Sequence, residues 1–530
     1  MHNVARPGQV RWISVIVILL LVAGGSAGYF YYYRYSQPRF TIPNIPADPP
    51  AGDIEAQVHH FCGGCHAYPP PNTFPKEHWP LEVAQGYGFF EQGHMYYSNA
   101  GKNLRPPHIR DVEKYYVDRA PEEMPAIDAP PASHSPPVRF EAHRIPGPPM
   151  PQPYAISNIN IVRLFDAKRP DILACDMRNG VVMAYQPYLE NPTWKILGKV
   201  SNPAHAEVVD LDGDGVPDIL VANLGSFKPT DTRSGSVVWL RGQRDGTFTA
   251  IPLLEDVGRV ADVQAADFRG VGKLDLVVAS FGWNKIGEII YLQNRTTDWS
   301  KPNFVPRVLD TRHGAIHVPV VDLNRDGKPD FVALIAQEHE TIVAFLNDGN
   351  GGFRKETIFQ GEHPALGSSG IQMVDMNGDG HLDVLYTNGD TLDVPHFLKP
   401  YHGVQWLENP GNGTFPWKRH AIAPFYGAHR AVAADFCGAG KMDVVAVSFL
   451  PPEAFPTRQK LNLDALLLLE HTGPDSFARH VLESVKCDSV SCAVGDLFAT
   501  GRNDIVTGAF VNTKAEHVAT IWKNLGPAKK

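Results

Sequence analysis

The sequence predicts a mainly β protein organised around a seven-bladed β-propeller. Three observations lead there. An acidic nine-residue motif recurs at spacings of roughly 44 to 61 residues, the period of a propeller or solenoid. Short apolar strands follow every copy in the same order. The chain has 47 glycines and 46 prolines among 530 residues, which argues against long helices and for many turns. Hydrophobic residues at 43% exclude wholesale disorder. A net charge of −9 without a basic stripe gives no nucleic-acid footprint.

From the N-terminus, residues 12–33 carry no charged side chain, and an aromatic cluster from Tyr29 to Tyr33 closes the run. Such a run is long enough to span a bilayer, and aromatic rings prefer its interface. Residues 1–36 are therefore expected to be a transmembrane anchor. The small residues Ala23 to Ala27 leave a cleaved signal peptide as the alternative. Residues 37–53 are proline-rich and read as a semi-rigid stalk.

Cys62-Gly63-Gly64-Cys65-His66 follows. Cys-x-x-Cys-His is the attachment signature of c-type haem: two thiols add to the vinyl groups and the histidine falls under the iron. A zinc half-site would need a second Cys/His pair, and the next cysteine is Cys175. Residues 54–124 are thus expected to form a small α-helical, mono-haem cytochrome c-like domain, with helices near 54–61 and 110–119. Met95 is the favoured sixth ligand, with His94, His108, His78 and Met124 as competitors. Haem c is attached outside the bacterial cytoplasm. The expected location is the inner membrane, single-pass, with the haem and the propeller on the periplasmic side.

Eleven prolines between Pro121 and Pro153 mark a second linker, 125–154. Within it, Phe140 to Ile145 reads like Phe477 to Leu482, the outer strand of a repeat, while the last repeat lacks its fourth strand before Lys530. Residues 139–146 are expected to fill that place and close the ring of 155–530.

Three repeats are complete: Asp210, Asp212, Asp214 and Asp218; Asp322, Asn324, Asp326 and Asp330; Asp375, Asn377, Asp379 and Asp383. Side chains at positions 1, 3, 5 and 9, with the carbonyls of Val216, Lys328 and His381 at position 7, form a hard oxygen donor set that suits Ca²⁺. Copies starting at Asp267, Asp435 and Asp496 lack the middle carboxylates and read as metal-free turns, and Asp166 to Asp171 is a truncated copy. About three structural calcium sites are expected.

These repeats resemble FG-GAP/VCBS propeller repeats, as in integrin α-chains. The chain as a whole resembles exported bacterial proteins that join a Cys-x-x-Cys-His domain to such a propeller. The likeness rests on Cys62 to His66, Tyr115-Tyr116 with Ala120-Pro121, Gly235 to Leu240, His313 to Val318 and Gln337 to Thr341, and covers nearly everything after residue 54. It implies the fold, haem and calcium, and no established reaction.

Strand order places one more candidate. The starts of the inner strands, with His205, His317 and His429, share a face with the loops after the second strands. Those loops hold Asp231, Trp283, Lys285, Glu338, His339, Asn388, Asp390, Asp393, His402 and Glu453. Polar groups converging on a propeller mouth suit a small-molecule or glycan ligand, yet order alone assigns no nucleophile–base pair. Three functions compete: electron transfer with a redox partner protein or membrane complex, a haem-coupled oxidoreductase acting on a sugar or alcohol at the mouth, and calcium-dependent adhesion. Cys487 and Cys492 flank the last inner strand; an oxidising compartment permits a bridge, and strand geometry could equally keep them apart.

Overall fold

The computed structural model describes residues 53–96, 106–133, 135–392, 396–513 and 517–528, with the backbone alone over 91–96. The apolar segment 12–33 and the stalk lie outside the described residues. Among the described residues, no helix is long and apolar enough to cross a membrane.

Among the described residues, three α-helices come first: α1 (Ile54–Cys62), α2 (Trp79–Tyr96) and α3 (Ile109–Arg119). Asp53 caps α1 by accepting from Glu55 N at 3.0 Å, satisfying an amide that the helix leaves unpaired. Val58, Phe74, Trp79, Val83, Val112, Tyr115 and Tyr116 form the core of this module. Trp79 stacks flat on Tyr116 with ring centroids 3.7 Å apart.

Seven antiparallel sheets follow; in six of them the strands run in sequential order outward from the axis, and in the seventh the outermost strand comes from before the ring. The innermost strands are Ile156–Val162, Pro203–Val209, Val260–Ala266, Ala315–His317 with Val320–Val321, Ser368–Val374, Ala428–Ala434 and Cys492–Gly495. Each packs against its neighbours, and the seventh meets the first. The second strand of every blade is buried along its whole length, for example Asp218–Asn223 and Asp383–Asn388. That explains its near-continuous apolar sequence, since both its faces are covered by adjacent blades. Blade 4 departs from the common pattern: its inner strand breaks at Val318-Pro319, where proline brings no N–H to the ladder.

The outermost strand of blade 7 is Val138–Pro146. It pairs antiparallel with His517–Pro527, with Ala142 opposite Trp522 and His143 opposite Ile521. The proline-rich segment before it is laid on blade 6: Ser133 N donates to Arg479 O and Val481 N donates to Ser133 O. The helical module and the ring belong to one unit, 42–530. The module rests on blade 5, where Phe74 and His78 pack on Phe397 and Tyr401 Oη donates to Thr73 O at 3.4 Å. All six cysteines are free thiols, Cys487 and Cys492 among them.

Candidate functional site

The Cys-x-x-Cys-His turn begins as α1 ends. Gly63 caps the helix by donating to His59 O at 3.0 Å, and a Cβ at Gly63 would stand 2.7 Å from that oxygen. Only glycine lets the chain turn there without moving the helix end. Cys62 is half-buried and Cys65 exposed. Burial pushes the Cys62 thiol up to about 11. Desolvation and then the negative charge of Glu338 raise Cys65. Glu338 belongs to blade 4 of the ring. His66 donates from Nδ1 to Ala67 O at 2.8 Å, which fixes the tautomer and leaves Nε2 as an acceptor. Phe61, Tyr87 and Phe90 form an aromatic wall nearby, with centroids 5.0 and 5.1 Å from Phe61.

Of the candidates for a sixth ligand, Met95 and His94 lie in the last turn of α2, and their side chains are outside the described residues. His108 caps α3, its Nδ1 accepting from Arg110 N at 3.3 Å. His78 is buried against Phe397.

Around the ring axis, a polar network links five inner strands. His205 Nε2 lies 3.4 Å from Asp262 Oδ1 and 3.5 Å from Glu207 Oε2. His317 Nδ1 is 3.8 Å from Asp262 Oδ2, which also accepts from Val318 N at 2.9 Å. Arg430 Nη1 sits 3.4 Å from His317 Nε2 and donates to Ile371 O. Burial works against the Asp262 charge, but the two histidines hold its carboxyl far below the usual range. Burial also opposes charge on His205, yet Asp262 and Glu207 keep that imidazole above its ordinary value. His317 goes the other way, lowered by burial and by Arg430. His429 donates from Nδ1 to Val490 O and is pulled by burial down to about 4.

Asp262 and Arg430 were not among the sequence candidates, although a signal existed. His205, Asp262, His317 and Arg430 each stand five residues before the first aspartate of their repeat. Each follows the irregularity in its inner strand, so the four are equivalent positions around the axis.

A second group lies on blade 4. His313 Nε2 is 2.8 Å from Glu338 Oε2, and His339 Nε2 is 3.9 Å from Glu338 Oε1. Burial and the neighbouring His313 charge are set against Glu338, in opposite senses; His313 prevails and the carboxyl falls to about 2. Burial lowers His339 to about 4.

Several of the remaining loop residues serve the scaffold. Asp231 accepts from the amides of Asn284, Lys285 and Ile286, clamping blade 2 to blade 3. Asn388 is fully buried and bridges Leu366 O, Tyr401 O and Gly403 N. Glu453 accepts from Asn512. His402 is buried, and among the described residues neither ring nitrogen has a hydrogen-bond partner. Trp283 is exposed, Asp390 accepts from Leu392 N, and Asp393 lies outside the described residues.

On the opposite face, the carboxylates of Asp210, Asp212 and Asp214 come within 4.8 Å of one another. Asp212 also pairs with Arg241 at 2.6 Å. The first aspartate of each loop accepts from loop amides: Asp214 N and Gly215 N meet Asp210, Asp326 N and Gly327 N meet Asp322, and Gly378 N and Gly380 N meet Asp375. Asn324 and Asn377 accept from Asp326 N and Asp379 N. The side chains of Asp214, Asp326 and Asp379 turn back to the amides of Val216, Lys328 and His381. The ninth-position aspartate is fully buried in each complete copy. Asp218 accepts from Leu211 N and Gly242 N, Asp330 from Leu323 N and Asn347 N, and Asp383 from Met376 N and Asn409 N.

Residues 322–386, which hold the second and third complete repeats, match the FG-GAP-like repeat family. No curated protein matches the chain. The chain thus carries an FG-GAP-like repeat within a seven-bladed β-propeller, an architecture that fits a binding or docking module.

Proposed function

We propose that the chain is an exported, membrane-anchored c-type cytochrome whose calcium-stabilised propeller docks a redox partner. The Cys62-x-x-Cys65-His66 turn carries this reading. Its two thiols are free, its glycine-capped bend brings them off the end of one helix, and His66 offers Nε2 while Nδ1 is held by Ala67 O. Those residues suit covalent attachment of haem and one axial bond to its iron, with Met95 as the proposed second ligand. Haem supplies one-electron transfer when bound. The chain's own part is to hold the motif on the mouth side of blade 5, where a partner bound to the ring would also meet it. The oxygen donors of Asp210, Asp212 and Asp214 suit Ca²⁺, and the loops at 322 and 375 offer the same set with an asparagine oxygen in place of one carboxylate. The apolar segment 12–33 would place the protein at the inner membrane, facing the periplasm.

Expression in a host able to attach haem c tests the reading. Haem should stay with the polypeptide after denaturation, and Cys62→Ser with Cys65→Ser should abolish it. A protein that matures without covalent haem overturns the proposal. Reduction by a partner cytochrome or quinol complex supports docking. Reduction by a sugar or alcohol alone supports an oxidoreductase instead, a reading favoured by the ionisable group His313, Glu338 and His339 beside the motif.

A further inference from the structure

Blade 4 presents two imidazoles and one carboxylate to a common point. His313 lies just before the inner strand, while Glu338 and His339 share the single turn Gln337–His339 between the second and third strands. His313 Nε2 is 2.8 Å and His339 Nε2 3.9 Å from the two oxygens of Glu338, and the imidazole centroids are 5.0 Å apart. One donor atom from each residue lies within 4.8 Å of the other two. Two histidine nitrogens and a carboxylate oxygen are the donor set of open divalent transition-metal sites, zinc sites included. Three protein donors leave further positions free, and the Glu338 side chain is 35% exposed, so the point is reached from outside.

The backbone around the three is strained and pinned. Gln337 and Glu340, which bracket Glu338 and His339, have φ of 56° and 41°. Non-glycine residues persist in this region only where their surroundings fix them, and such strain gathers at binding sites. Here the fixing group is the buried Glu340, whose two oxygens accept from Gly367 N and Ser368 N on blade 5. His313 is held as tightly. A Cβ on Gly287 would lie 2.4 Å from its Cα, and a Cβ on Gly314, at φ 89°, would lie 2.7 Å from Ala336 O. A rigid backbone that aims three donors at one point is what preorganised metal binding requires.

We infer that His313, Glu338 and His339 bind one divalent transition-metal ion of the zinc class. The site is separate from the acidic loops at the opposite ends of the strands, whose all-oxygen donors suit calcium. The inference does not rest on haem attachment.

Calorimetric titration of the full chain with Zn²⁺, in excess Ca²⁺, tests it. One Zn²⁺ should bind, and Glu338→Gln and His339→Ala should each weaken it at least about tenfold. Glu338→Gln keeps the size of the side chain, so a melting temperature like that of the parent protein, measured without Zn²⁺, separates lost binding from lost folding. Zinc X-ray absorption should show nitrogen and oxygen neighbours and no sulfur. Glu338 lies close enough to Cys65 to act on it electrostatically, so Cys62→Ser with Cys65→Ser is titrated as well and should bind Zn²⁺ like the parent. Equal affinity in the parent and both blade 4 variants, absence of binding, or binding lost with the cysteines would overturn the inference.

Discussion

His205 and Asp262 stand on the inner strands of adjacent blades and meet across the seam between them at 3.4 Å. The other oxygen of Asp262 faces His317 of blade 4 and the amide of Val318. One buried carboxylate therefore joins three blades. Removing one member of a buried charged set costs about 3–5 kcal/mol, chiefly because the survivors are left without a counter-charge. Asp262→Asn should lower stability by about that amount in chemical denaturation. An unchanged denaturation midpoint would show that solvent around the ring axis screens the pair.

The same network sets a pH dependence. His205 is held above its ordinary value, so its charge stabilises the fold fully below the unfolded imidazole value of about 6.5. That contribution is lost as pH rises through the higher folded value. In Asp262→Asn, burial acts with less opposition and the His205 titration should move to lower pH. NMR titration of the His205 ring reads this directly, and an unshifted midpoint refutes the assignment.

The strand Val138–Pro146 completes blade 7. A chain beginning at Ala155 exposes the edge of His517–Pro527 and uncovers Trp522 and Phe436, which pack near Val138 and Phe140. It should melt at a clearly lower temperature and less cooperatively than the full chain. Equal melting curves would mean that the ring closes without this strand.

Calcium should raise the melting temperature, because a ligand bound only by the folded state stabilises it by about 2.7 kcal/mol at a hundred times its dissociation constant. Asp210→Ala and Asp212→Ala should remove part of that rise. Asp267 sits in a loop without the middle carboxylates, so Asp267→Ala should leave the calcium-dependent rise intact. A chelator that leaves melting unchanged would make all the acidic loops plain turns.

Gly63→Ala drives a Cβ to within 2.7 Å of His59 O. The Cys62 to His66 turn must shift, and haem per polypeptide should fall severalfold. Gly86→Ala, on α2 with open space around it, is the control and should mature normally. Equal haem content in both variants would show that the turn geometry is not limiting.

The blades were legible because each repeat carries its own punctuation: an acidic turn, then a wholly apolar strand. The ninth-position aspartate shows how far such reading goes. Asp171, Asp275, Asp443 and Asp504 recur in copies that lack the middle carboxylates, so metal binding alone does not account for them. Their burial does. Asp171 accepts from Leu164 N, Asp275 from Asn294 N, Asp443 from Phe436 N and Asp504 from Leu497 N, so the residue locks the turn onto the blade with or without an ion. The network around the axis was harder to see. Asp262 and Arg430 acquire meaning only when strands distant in sequence are brought around one axis, and nothing local sets them apart. His313 lay within a segment already noted, but its pairing with Glu338 depends on the path of the turn at 337–340.

Ring closure also imposes an order of events. The strand Val138–Pro146 leaves the ribosome early, yet its partner His517–Pro527 is made only after every other blade. Until then one blade is incomplete and its neighbours have an open flank, so the ring gains its last contacts in a single late step that joins distant parts of the chain. Such long-range closure is slow because its entropy cost comes before its reward. The helical module is made before that clasp shuts, and the blade 5 surface it rests on is made after it. Its seat therefore waits for blade 5, and a chain stalled before that blade would carry its Cys-x-x-Cys-His turn without the surface it rests on.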